Sequence, residues 1–398
     1  MSSATNDTRL TRRMHTLYAF FLLPGALLAA WITRTPAIRD TLDASLADMG
    51  LVLAGLSVGS MTGLLSSGPL IRRFGTRTVT RTGMTLVVAS MFTLALATQL
   101  AVLPLATLAL LLFGLGMGSA EMGINIEGAD VEQQTGRIIL PTLHGCFSLG
   151  TVIGALASLA LMQWHVPVTA HLLAMGALGT VVLARYFNGL PPGLGQDEDS
   201  ADACAPETMT RPLWREPGLL MIGAIALAMT LAEGSAYDWL PLLMADAYGT
   251  GERTGTLVFL GFATTMAIGR LGGGKLLERI DRRRLMGMSL IAGAAGMAVV
   301  VTSQSLWMAV AGVVLWGLGA SLAFPLALSA AAASGSNPNG RVKLVATGGY
   351  IALLVGPPLL GFIANGLGLR GALALVLALV VLSLLALPAI SRGRGSAH

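Results

Sequence analysis

Leu51-Val-Leu-Ala-Gly-Leu-Ser-Val-Gly-Ser-Met-Thr-Gly-Leu-Leu-Ser-Ser-Gly-Pro-Leu-Ile71 carries no charged residue, and Arg72, Arg73, Arg77 and Arg81 follow it directly. A bilayer's hydrocarbon is about 30 Å thick, and a helix rising about 1.5 Å per residue crosses it in roughly 20 residues. The stretch is therefore long enough to span, and the arginines mark where the chain re-enters water. The same alternation recurs along all 398 residues, of which 54% are hydrophobic, only 11% are charged and 50 are glycine. An ordinary soluble domain is about a quarter charged. Without water, backbone groups must be satisfied within the span, so only helices or a closed barrel can cross. Long unbroken apolar runs are not the alternating pattern of barrel strands. The expected fold class is an all-α integral membrane protein.

Hydropathy and Gly/Pro punctuation place twelve transmembrane helices, at 15–34, 46–69, 79–100, 104–128, 139–163 and 167–188, then 215–243, 254–275, 284–303, 306–333, 342–365 and 369–390. Between the sixth and seventh lies a polar, acidic stretch from Pro191 to Pro212. This predicts a six-helix bundle over 1–188, a linker over 189–214 and a second six-helix bundle over 215–398. Lys and Arg accumulate in cytoplasmic connections. Twenty-one of the 25 basic residues fall on the side of the N-terminus, leaving Arg34, Arg39, Arg253 and Arg370 on the other. Both termini are expected in the cytoplasm, with the linker beside them.

The net charge of +5 is explained by this topology, so nucleic acid is not an expected partner. The polar tail Met1–Thr11 precedes a long span with no small-residue cleavage site, so the first helix reads as retained. Cys146 and Cys204 fit no metal or redox spacing. Gly114-x-Gly116-x-Gly118 and Gly272-Gly-Gly274 lack the Lys-Ser/Thr and the preceding strand of a phosphate-binding loop, so they belong to helix packing. No cofactor or metal is expected, and no nucleophile–base arrangement points to an enzyme.

The two halves look related. Gly68-Pro-Leu-Ile-Arg72-Arg73-Phe-Gly75-Thr-Arg77 follows the second span, and Gly274-Lys-Leu-Leu-Glu278-Arg279-Ile-Asp281-Arg-Arg283 follows the eighth. Both resemble the cytoplasmic signature Gly-x-Leu-x-Asp-Arg-x-Gly-Arg-Arg of the major facilitator superfamily, and the likeness covers essentially the whole chain. Arg72 stands where the first copy has its acid, Glu278 supplies the acid in the second, and Asp281 replaces a glycine. Glu127, Asp130 and Glu132 lie at the inner end of the fourth helix. The expectation is a charge-swapped inner gate in which they meet Arg72, Arg73 and Arg77, against which ordinary solvated loop charges remain the alternative.

Gly114-x-Gly116, Glu121-Met-Gly-Ile-Asn125 and His144-Gly-Cys-Phe-Ser-Leu-Gly150 resemble the fucose-proton symporter branch and its bacterial inner-membrane relatives. That resemblance implies a bacterial inner-membrane location and an acid in helix four handling protons and sugar, a role that falls on Glu121. The branch also has an acid in helix one, whereas this chain has Leu27-Leu-Ala-Ala-Trp31-Ile-Thr-Arg34. Independently of the resemblance, a carboxyl at membrane depth costs several kcal/mol unless it is paired, hydrated or protonated, which suits Glu121 to proton exchange. Asn125, one turn on, offers hydrogen bonds to a solute.

Helix seven holds Glu233-Gly-Ser-Ala-Tyr237-Asp238-Trp239. In this fold helices one and seven occupy equivalent places, so an Arg34–Asp238 pair is expected as an outer latch, with Glu233 a second proton or substrate group. Trp31, Tyr237 and Trp316 are candidates for stacking on a ligand, and Trp239 for an interfacial anchor. Arg270 either contacts substrate or, with Glu278 and Arg279, holds the loop signature.

The reading is a monomeric secondary transporter working by alternating access, with the bilayer, protons and a small polar solute, a sugar being the candidate, as partners. A proton-driven exporter of drugs, lipids or metabolites uses the same parts. A non-transporting membrane sensor is the reading from another class, and the lack of a sizeable soluble domain weighs against it.

Overall fold

A computed structural model describes residues 2–136, 139–196, 213–335 and 337–390. Arg137, Cys204, Arg211, Arg392 and Arg394, counted above, lie outside the described residues, as do the side chains of Arg9 and Lys275 and most of the expected linker. The chain divides into two compact units, Met1–Ala205 and Pro206–His398.

The N-terminal unit comprises α1 (Ser2–Ile32), the short α2 (Thr35–Thr41), α3 (Leu46–Leu100), α4 (Leu103–Thr135), α5 (Leu140–Gln163) and α6 (Val168–Tyr186). The C-terminal unit comprises α7 (Pro217–Tyr248), α8 (Glu252–Arg279), α9 (Arg282–Thr302), α10 (Leu306–Ala332) and α11 (Pro338–Ser383). Among the described residues ten helices are long and apolar enough to cross a membrane. Two of them are double: α3 has 55 residues and breaks at Gly75 (φ 79°, ψ 158°), and α11 has 46 and breaks at Gly368 (φ 71°, ψ 166°). That region of backbone space is essentially reserved for glycine. The breaks fall between the second and third and between the eleventh and twelfth expected spans, which restores twelve membrane-crossing segments.

Local chemistry starts the helices. Ser45 Oγ accepts from the Asp48 N–H at 3.1 Å while Asp48 Oδ2 accepts from the Ser45 N–H at 3.0 Å, a capping box that opens α3. Asp281 accepts from the Arg284 N–H at 3.1 Å and caps α9. The acid at the loop signature's glycine position thus starts a helix, whereas Gly75 in the first copy turns the chain. α1 differs from expectation: it begins at Ser2, so Arg12 and Arg13, which precede the expected first span, are helical.

Backbone-to-backbone contact holds neighbouring helices together. A Cβ added to Gly59 of α3 would lie 2.2 Å from the Leu111 carbonyl oxygen, and one on Gly118 of α4 would lie 2.3 Å from that of Ser60. In the C-terminal unit a Cβ on Gly319 of α10 would meet the Gly293 nitrogen of α9 at 2.2 Å. Lipid removes the hydrophobic drive between helices, so such close approach of small residues supplies the association. Large apolar side chains point outward instead, among them Leu65, Val181, Leu271 and Leu367.

Tryptophan placement corrects one expectation. Trp239 is 1% exposed and buried, not an anchor at the headgroups. The exposed tryptophans are Trp164 (73%), Trp214 (57%) and Trp307 (81%), each at a helix end, where an amphipathic ring suits the membrane interface.

Candidate functional site

In the N-terminal unit the polar groups gather on α4 and α5. Glu121 is exposed on α4 and, among the described residues, has no hydrogen-bond or ion-pair partner. Asn125, one turn further, places Oδ1 3.1 Å from His144 Nε2 on α5. The His144 ring packs edge-on against Phe21 of α1, centroids 5.0 Å apart. Three helices therefore converge at His144, with Asn125 one turn of α4 from Glu121. The sequence reading quoted His144 only as part of a resemblance, although a histidine inside an apolar span was itself a signal.

Arg34 does not extend outward as a latch. It is 4% exposed, its Nε donates to His171 Nδ1 at 3.0 Å and its Nη2 to the Val166 carbonyl at 2.5 Å. Both partners belong to its own unit, so the guanidinium that was expected to reach Asp238 is engaged by the Val166 carbonyl and the buried His171. Trp31 is 2% exposed, too enclosed to offer a stacking face.

Towards the C-terminal end of α4 the acids named by the sequence do meet arginine, but a different one. Arg13 of α1 donates from Nε to Glu127 Oε2 at 2.7 Å and places Nη1 2.6 Å from Asp130 Oδ2. Thr76 Oγ1 donates to the other Glu127 oxygen at 2.5 Å. Glu127 is fully buried and Arg13 is 6% exposed. Arg72 and Arg73 are exposed, and Arg73 stacks on Phe74. Arg77 donates to Asn188 Oδ1 at 3.0 Å. Glu132 accepts from the Ile139 and Leu140 N–H groups at 2.6 and 2.8 Å, tying down the start of α5. The expected inner gate on Arg72, Arg73 and Arg77 is thus replaced, in this unit, by a lock centred on Arg13. The reason is reach: α1 stays helical N-terminal of the expected start at residue 15 and carries Arg13 to the buried carboxylates.

In the C-terminal unit Glu233 of α7 pairs with Arg270 of α8, Oε1 to Nη2 2.6 Å. Arg270 thus contacts a carboxylate and not the loop signature. One turn along α7, Tyr237 packs edge-on against Phe259 and Phe262 of α8, centroids 5.7 and 5.9 Å apart, and Phe262 meets Trp316 of α10 at 5.5 Å. Trp316 is fully buried with its indole N–H unpartnered, so it backs the aromatic wall and does not present a face. Glu278 and Arg279 are exposed and make no ion pair among the described residues. Asp238, which likewise has no partner among the described residues, lines a small void between α7 and α11.

Twelve apolar segments in two bundles, with carboxylates, an arginine and an imidazole at membrane depth, are the anatomy of a polytopic transporter. The Major Facilitator Superfamily model matches residues 3–137 and 239–396. The chain is 31% identical over 354 residues to an uncharacterised transporter of Sinorhizobium fredii, covering 88% of this chain and 91% of that protein. It is 27% identical over 365 residues to the membrane protein MosC of Rhizobium meliloti, covering 91% and 86%. The fold is shared with the nucleoside transporter NupG (TM-score 0.77, 14% identity, 96% of this chain and 100% of that one) and with the fucose:proton symporter FucP of E. coli (TM-score 0.61, 15% identity, 95% and 98%). The chain belongs to the Major Facilitator Superfamily and is a multi-pass membrane transporter, not an enzyme.

Proposed function

We propose that this transporter couples inward movement of a small polar solute, a sugar or a molecule of similar hydrogen-bonding character, to protons by alternating access. The location proposed is a bacterial inner membrane, with both termini in the cytoplasm. The observation that carries the reading is Glu121. An unpartnered carboxyl inside a span is costly, and such groups mark proton and substrate pathways. Beside it Asn125 and His144 supply an amide and an imidazole, which match hydroxyls better than they match a full charge.

In this scheme Glu121 takes a proton from outside, the solute binds against Asn125 and His144, and both leave on the inner side. Glu233, held by Arg270, is the second proton group: protonating it would release the guanidinium. Two fold relatives named for small polar solutes, a nucleoside and fucose, support the size class.

Counterflow in proteoliposomes separates the steps, because exchange of labelled for unlabelled solute needs binding and rocking but no net proton transfer. Glu121→Gln should keep counterflow and lose gradient-driven accumulation. Retention of full accumulation by Glu121→Gln would remove the proposed role.

A further inference from the structure

The N-terminal unit holds a cavity of about 660 Å³ between α1, α3, the end of α4 and the segment that follows α6, and the proton scheme leaves it unused. That volume suits a small-molecule site. Leu190, on the segment after α6, is 2% exposed, and the Thr76 N–H beside the Gly75 break donates to the Leu194 carbonyl at 2.9 Å. The wall formed by residues 188–194 is therefore pinned to α3.

Arginine dominates the polar lining. Arg12, Arg13 and Arg77 line the cavity with Asp130, the one acid among the lining residues. Asp130 Oδ2 is already engaged, by Arg13 Nη1 at 2.6 Å and by Gln134 Nε2 at 2.8 Å, and Arg13 is committed to Glu127 as well. Arg12 is exposed, and among the described residues neither it nor Arg77 has a carboxylate partner. Arg77 donates to Asn188 Oδ1 at 3.0 Å, and Arg81, one turn further along α3, donates to the same oxygen. With that oxygen taken, Asn188 has its amide NH2 left to donate. Arg77 Nε is buried without a hydrogen-bond partner. Glu127 and Asp130 offset Arg13 and one further charge, so Arg12, Arg77 and Arg81 leave the region net positive.

We propose that this cavity binds a phosphate group carried on a small organic body, with Arg12, Arg77 and the Asn188 amide as its donors. The planar guanidinium presents paired donors that match phosphate oxygens, and such charge-assisted bonds are stronger than neutral ones. The volume exceeds what inorganic phosphate alone would fill, and Leu10, Pro191, Pro192 and Leu194 give the rest of the ligand an apolar wall. A water-soluble organic phosphate and a phospholipid headgroup share this chemistry. The site is separate from Glu121 and stands whether or not the transporter carries protons.

The test is a thermal-shift titration of the purified full-length protein in detergent, at constant ionic strength. Glycerol phosphate against glycerol probes the soluble source, and dioctanoyl phosphatidylglycerol against dioctanoylglycerol probes the lipid source. A saturable, phosphate-dependent rise in melting temperature is expected with at least one pair. A response to glycerol phosphate assigns the site to a soluble ligand, and a response to phosphatidylglycerol alone assigns it to lipid. Arg12→Gln and Arg77→Gln should each raise the half-saturating concentration about tenfold or more. Both side chains lie outside the Arg13 lock, so both variants should fold. Arg72→Gln, exposed on the same α3 and absent from the lining, should respond as the native protein does. Glu121→Gln should do so too, so a failed proton scheme leaves this result intact. Absence of a phosphate-dependent response to both probes, or an equal weakening by Arg72→Gln, overturns the inference.

Discussion

Replacing Arg13 with alanine should be the most damaging single change at the inner end of the N-terminal unit. Arg13 donates to Glu127 at 2.7 Å and meets Asp130 at 2.6 Å, and Glu127 is fully buried. Without Arg13 the Glu127 carboxylate keeps only the Thr76 hydroxyl, and a buried charge stripped of its ionic partner costs about 3–5 kcal/mol. Arg77 is the control: its bond to Asn188 is exposed, and exposed polar pairs contribute about 0–1 kcal/mol. For a unit of this size 1 kcal/mol moves the melting temperature by roughly 2–4 °C. Arg13→Ala should therefore lower it by about 6–20 °C and Arg77→Ala by no more than about 4 °C. The assay is thermal unfolding in detergent, followed by intrinsic fluorescence and by the monodisperse fraction after heating. A double variant, Arg13→Ala with Glu127→Ala, should recover much of the loss because the fully buried carboxylate is gone and only the part-exposed Asp130 is left without its arginine. Equal shifts for Arg13→Ala and Arg77→Ala, or a double variant worse than the sum of the singles, would refute the buried lock.

Gly118→Val should place its side chain against the Ser60 carbonyl and destabilise the α3–α4 contact by at least about 1–3 kcal/mol, seen as a lower melting temperature and a loss of monodisperse protein. Gly75→Ala should cost about 1–3 kcal/mol for its backbone conformation alone, measured the same way. Arg270→Gln should lower stability more than Arg270→Gln combined with Glu233→Gln, since only the single variant leaves Glu233 without its 2.6 Å partner, and a thermal-shift comparison of the two decides it. His144→Ala should raise the half-saturating solute concentration in counterflow about five- to tenfold, the loss of one hydrogen bond of about 1 kcal/mol, with little change in melting temperature.

The spans were legible because hydropathy reports burial in lipid directly. The rotation of each helix was less so. Spans that are apolar all round carry no stripe to say which face turns inward, so Trp31 and Trp316 were read as ligand-stacking candidates and Trp239 as an interfacial anchor. The structure buries all three and puts Trp164, Trp214 and Trp307 at the surface. Small residues carried the missing phase: Gly55, Gly59 and Gly63 recur every four residues and form the face of α3 that α4 touches. The inner lock was half legible. Glu127 and Asp130 stood out as acids at a helix end, but Arg13 lies more than a hundred residues earlier, and its role depends on α1 being helical N-terminal of the expected first span. The interruption at Gly75 was visible as a loop, yet nothing in its residues said that helix continues to within a residue on either side.

The central claim rests on Glu121, and substrate-driven proton movement tests it most directly. Proteoliposomes loaded with a pH-sensitive dye are given sugars, nucleosides and other small polar solutes, with the native protein and Glu121→Gln side by side. The account predicts lumenal acidification with one solute class in the native protein and none in Glu121→Gln, although counterflow of that solute survives. Acidification that persists undiminished in Glu121→Gln, or solute uptake by the native protein with no proton movement, would contradict it.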